Sequence, residues 1–120
     1  MTIRRLKTYT AQTGYVYQYY FVGKRATLEG EPEAPSTEYI FDVSADRKTT
    51  FAVSIFLQPQ ALAEWADTRG RNLSEPEQYA AAKLRLMQGF DEIPDMLNDG
   101  RRLRLDAELL LALLESIGVD

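Results

Sequence analysis

The sequence predicts an α+β fold: an antiparallel sheet of about four strands (two hairpins) in the N-terminal half, packed by two or three helices from the C-terminal half. Three observations predict it. Up to Leu57 the apolar stretches are rich in aromatic and β-branched residues and alternate with period two. From Pro59 onward the apolar residues recur at helical spacing. Clear helix start and stop signals occur only in that second half. The chain has 120 residues, the length of one ordinary domain spanning 1–120. A chain of that length builds a core without help from disulfides or metal.

The first hairpin joins Arg4 to Thr10 with Tyr15 to Val22 through the turn Ala11-Gln12-Thr13-Gly14. Alternation puts Tyr15, Tyr17, Tyr19 and Phe21 on one face, and Val16, Gln18, Tyr20 and Val22 on the other. Both faces are fairly apolar, which suits a central strand or one covered on both sides. Glu29 to Thr37 holds Gly30, Pro32 and Pro35 among acidic residues and reads as an exposed, mobile loop. In the second hairpin Tyr39, Phe41 and Val43 lead through a polar turn at Ser44 to Thr49. Phe51, Val53, Ile55 and Leu57 follow as a core-facing set.

Pro59 fits a first helical turn, where its missing N–H costs nothing, and Gly70 is the matching terminator. Ser74-Glu75-Pro76-Glu77 is a capping box. The helix it opens carries Tyr79, Ala82, Leu86 and Phe90 on one stripe, with Met87 beside them, and should end near Phe90. After the Asn98-Asp99-Gly100 turn, Arg101 to Leu105 is a short strand or an extended approach. Asp106 caps a last helix whose stripe is Leu109, Leu110, Leu113, Leu114 and Ile117, with Leu111 widening it and Gly118 ending it.

Composition removes most familiar chemistry. There is no cysteine and no histidine, so thiolate chemistry, disulfides and imidazole catalysis are absent. No cofactor and no metal site is expected, and an enzyme is disfavoured. The net charge is −4, which disfavours nucleic acid despite Lys24 and Arg25 following the aromatic strand. The chain lacks a long apolar span and an apolar signal core, so no membrane partner and a cytoplasmic location are expected. The acidic run Asp91, Glu92, Asp95 and Asp99 lacks calcium-loop spacing, and Arg101, Arg102 and Arg104 are placed to neutralise it.

What remains is surplus aromatic and apolar surface. Five of the seven tyrosines lie between Tyr9 and Tyr20, either as a half-covered sheet or as a recognition face. The favoured function is a non-enzymatic protein-interaction domain that self-associates as a homodimer or binds another protein. Leu110, Leu111 and Leu114 on the wide last helix are the candidate interface. The alternative is a small-molecule-binding domain with an aromatic pocket between sheet and helices. Tyr15, Tyr17, Tyr19, Trp65 and Tyr79 are the candidate binding residues.

Overall fold

The computed structural model describes residues 5–28 and 35–120. The chain runs β1 (Lys7–Thr10), β2 (Val16–Thr27), β3 (Ser36–Ser44), β4 (Phe51–Leu57), α1 (Pro59–Arg69), α2 (Glu75–Glu92), α3 (Met96–Asp99), β5 (Arg102–Leu105) and α4 (Ala107–Ser116). The fold is α+β. Among the described residues it comprises one five-stranded sheet, ordered β1-β2-β3-β4-β5, and four helices. No helix among them is long and apolar enough to cross a membrane.

The sheet differs from the expected four antiparallel strands. β1 to β4 form an antiparallel meander, but β5 pairs with β4 in parallel. A parallel neighbour needs a long crossover, and α1, α2 and α3 provide it. The segment that was equally a strand or an extended approach, Arg101 to Leu105, is therefore the fifth strand. It is only four residues long, and its partner is fixed by helix packing rather than by a local turn. The helix count also exceeds two or three, because α3 adds a single turn capped by Asp95. The opening strand begins at Lys7, and the Arg4 start lies outside the described residues. So does most of the Glu29 to Thr37 loop, while Ser36 and Thr37 belong to β3.

One face of the sheet is the core. Register aligns Tyr19 with Val43, Phe41 with Val53, Tyr39 with Ile55, and Ile55 with Leu103. All of these are buried, against Ala61 and Trp65 of α1, Leu86 and Phe90 of α2, and Leu110 and Leu114 of α4. Phe90 stacks on Tyr17 with centroids 4.2 Å apart, and Tyr79 meets the Phe21 ring edge-on at 4.9 Å. Offset stacks and edge contacts of this kind add to simple area burial.

β2 is longer than the alternation implied, because a bulge intervenes between Phe21 and Gly23. The extra residue reverses the facing of everything after it. Lys24 is thereby opposite Tyr39 on the helix side, with its Nζ 5.9 Å from that ring and 3.4 Å from Glu75 Oε1. Arg25 turns to the outer face opposite Glu38. There Glu38 is only 4% exposed. It accepts from Arg25 Nε at 2.8 Å and Ser54 Oγ at 2.6 Å. Burial works to raise its carboxyl, but the Ser54 hydroxyl and the Arg25 guanidinium hold it below its usual range.

The helix signals act where the sequence put them. Gly70 takes a left-handed conformation, φ 73°, and its N–H donates to Ala66 at the end of α1. The Ser74 side chain accepts from the Glu77 amide, and the Glu77 carboxylate accepts from the Ser74 amide at 2.9 Å. α2 then runs two residues past the expected end near Phe90, to Glu92.

Candidate binding groove and free strand edge

The most distinctive surface lies where β1 meets α2. It begins with a local hydrogen-bond pattern. Ala11 N–H donates to the Tyr15 carbonyl at 2.8 Å, and Gly14 N–H donates to the Ala11 carbonyl at 2.9 Å, closing the first hairpin. Antiparallel ladders alternate bonded and non-bonded pairs. The bonded pairs are therefore Tyr9–Tyr17 and Lys7–Tyr19, within the register Tyr9↔Tyr17 and Lys7↔Tyr19. The backbone groups of Thr8 and Thr10 point away from β2. β1 ends the sheet on that side, so these groups form a free edge.

The opposite edge is treated differently. By the same reasoning Arg104 of β5 directs its carbonyl outward, since Arg101 and Leu103 face β4. The Arg85 Nε donates to that carbonyl at 2.8 Å. A side chain of α2 thus caps one outward carbonyl of β5, and among the described residues no such cap reaches Thr8 or Thr10.

The hairpin is pinned to α2 by Asp91. Its Oδ2 accepts from the Tyr9 hydroxyl at 2.8 Å, and its Oδ1 accepts from the Gln12 amide at 2.9 Å. That hydrogen bond to Asp91 is the main reason the Tyr9 phenol is raised above its ordinary value. Held there, β1 and α2 enclose a shallow groove of about 380 Å³. Tyr9 and Tyr19 form one wall. Ala80, Leu84 and Met87, on a second stripe of α2, form the other, with Ile117 at the end. Lys83 is the one charged residue of the lining. Its ammonium is held below the ordinary lysine value, first by burial and then by the charge of Lys7. The described ion pairs engage Lys24, Arg25, Arg69 and Arg71. Among the described residues neither Lys7 nor Lys83 has a carboxylate partner.

The candidate residues are dispersed. Tyr15 is 57% exposed and, with Tyr17, lines a cleft of about 190 Å³ beside Phe51 and Leu97. Tyr17 and Tyr19 are buried, and Tyr79 is half-buried. These three tyrosines are linked through Phe90, Phe21 and Phe41, so rings fill the space between sheet and α2. Trp65 stands apart, beneath the Arg71 guanidinium and beside a cleft between α1 and α4. Leu110 and Leu114 lie wholly inside the fold, and neither reaches the surface. Leu111 is half-buried and lines the α1–α4 cleft. Burial of the two leucines has a simple cause: α4 packs against both α1 and α2, which uses a wide stripe.

The charged runs serve structure. Asp91 anchors the hairpin, and Asp95 caps α3 by accepting from the Asn98 amide at 3.2 Å. Arg101 donates to the Ala52 carbonyl, and Arg102 lies over the Phe56 ring. Sequence reasoning missed Lys83 and Ile117 as groove residues. The one signal for them was the second α2 stripe, Ala80, Leu84 and Met87, which recurs at helical spacing beside the core stripe.

No family model matches this chain, and no curated protein or solved structure is significantly similar to it. Function is therefore read from the edge and the groove alone.

Proposed function

We propose that this protein is a non-enzymatic interaction domain that self-associates as a homodimer through β1. The supporting observation is the asymmetry of the two sheet edges. The outward Arg104 carbonyl of β5 is capped by Arg85, while the outward groups of Thr8 and Thr10 on β1 have no described partner. An uncapped edge is a template for a further strand.

A second copy satisfies it with two-fold symmetry. Centring antiparallel β1 on Tyr9 places Thr8 of one copy opposite Thr10 of the other, so both outward pairs of groups are bonded. That register also keeps the two Lys7 cations well apart, which a register centred nearer Lys7 would not. The result is one continuous ten-stranded sheet. Exposed Leu6 and Ile117 flank the seam and supply apolar contact. Tyr9 is held at the two-fold by Asp91, so little side-chain freedom is lost on pairing.

The test is Thr8→Pro. Proline is tolerated on an edge strand but cannot donate outward. Light scattering of the native protein at rising concentration should approach twice the chain mass of 13.7 kDa. The variant should stay at the monomer mass with an unchanged far-UV spectrum. A native protein that stays monomeric throughout, or a folded variant that dimerises equally well, contradicts the proposal.

A further inference from the structure

We infer that the cleft between α1 and α4 is a binding site for a small organic ammonium ion that carries an oxygen acceptor on an apolar body. This goes beyond self-association, and the cleft shares no lining residue with β1 or with the groove beneath it. Its volume of about 330 Å³ is in the range of small-ligand sites. Trp65, Ala107 and Leu111 give it carbon surface. Glu64 of α1 and Glu108 of α4 line it as well, and both are exposed. A second cleft of about 330 Å³ adjoins it, shares Glu64, Ala107 and Glu108, and adds Asp106.

Two independent observations define the ligand. The first is charge. Glu64, Asp106 and Glu108 are the charged residues lining the two clefts, and all three are acidic. Arg71, whose guanidinium lies over the Trp65 ring at 4.9 Å, is paired with Glu77, and Arg69 at the end of α1 is paired with Glu115. Among the described residues no ion pair engages Glu64 or Glu108. A cation seated between these carboxylates is attracted by both, whereas an anion is repelled. The second observation is an orphan donor. Trp65 is 3% exposed and lines the cleft, yet its indole Nε1 is buried with no acceptor among the described residues. A buried donor left unmet is destabilising, and an oxygen on the ligand relieves it. The carboxylates alone would take any small cation. The indole N–H and the carbon walls select one with a carbonyl and a hydrocarbon part.

The chain has a single tryptophan, so one indole N–H resonance reports on the cleft directly. Leucinamide is the probe. N-acetylleucinamide lacks its charge, and isoamylamine lacks its carbonyl. Leucinamide should shift the indole resonance saturably, and N-acetylleucinamide should leave it unmoved. Isoamylamine should bind about tenfold more weakly, having no acceptor for the indole. Glu64→Gln and Glu108→Gln should each weaken leucinamide, and together by at least about tenfold, with an unchanged far-UV spectrum. Thr8→Pro should bind leucinamide as the native protein does, which separates this site from the dimer seam. No saturable shift with leucinamide, an equal shift with N-acetylleucinamide, equal affinity for isoamylamine, undiminished binding by the folded glutamine variants, or loss of binding in folded Thr8→Pro would each overturn the inference.

Discussion

Glu77 carries more of α2 than its half-buried surface position suggests. Its carboxylate accepts from both terminal nitrogens of Arg71, each at 3.0 Å, and from the Ser74 amide. The Arg71 guanidinium foremost, then that amide, hold its carboxyl at about 2 against an ordinary value of 4.5. A depressed carboxyl stabilises the fold fully above its unfolded value and loses that contribution as the pH falls toward its folded one. The native melting temperature should therefore drop between about pH 4.5 and pH 2, while Glu77→Gln should melt lower at pH 7 and fall less steeply across that window. Parallel curves for the two proteins would show that Glu77 contributes nothing through its charge. This residue was legible in the sequence because a capping box is local: serine and glutamate three apart define it. Lys83 was not legible. Its lowered ammonium depends first on burial beside the groove and then on the charge of Lys7, both of which only the folded chain supplies.

At the scale of elements, local signals located the hairpins and helices, but not every contact between them. The Ala11 to Gly14 turn, the polar turn before β4, and the caps at Gly70, Ser74 and Asp106 are each set by neighbours in sequence. The β2 bulge and the parallel β5 are not. Each depends on strands or helices far away in the chain, so period-two alternation alone could not place them. Gly89 shows the consequence. It lies where α2 crosses β5, and a Cβ there would stand 2.8 Å from Leu103 Cδ1. Alanine normally favours a helix interior by about 1 kcal/mol over glycine. Here the buried Leu103 must move, and overpacking costs about 1–3 kcal/mol. Gly89→Ala should therefore be neutral to destabilising by about 2 kcal/mol in urea unfolding. A gain of about 1 kcal/mol would mean that α2 and β5 are less closely packed than described.

For the whole molecule, the organising fact is a sheet with two unlike ends. The crossover that makes β5 parallel also carries α2 across the sheet, where Arg85 caps the outward Arg104 carbonyl of β5 and Phe90 supports the β1–β2 hairpin from below. A helix side chain thus reaches the outward backbone at one end and none is described at the other, with an apolar groove bearing Lys83 under it. The surplus aromatic surface visible in the sequence is mostly core: Tyr17, Tyr19 and Tyr39 are buried. The surface proposed for a partner lies instead in backbone groups of a four-residue strand, a kind of site that side-chain patterns do not mark. Backbone amide exchange at Thr8 and Thr10 tests that claim most directly. Both should be protected at high protein concentration and exchange rapidly on dilution, while Tyr9, bonded within the hairpin, keeps its protection at both. Rapid exchange at Thr8 and Thr10 at every concentration would contradict strand pairing through β1.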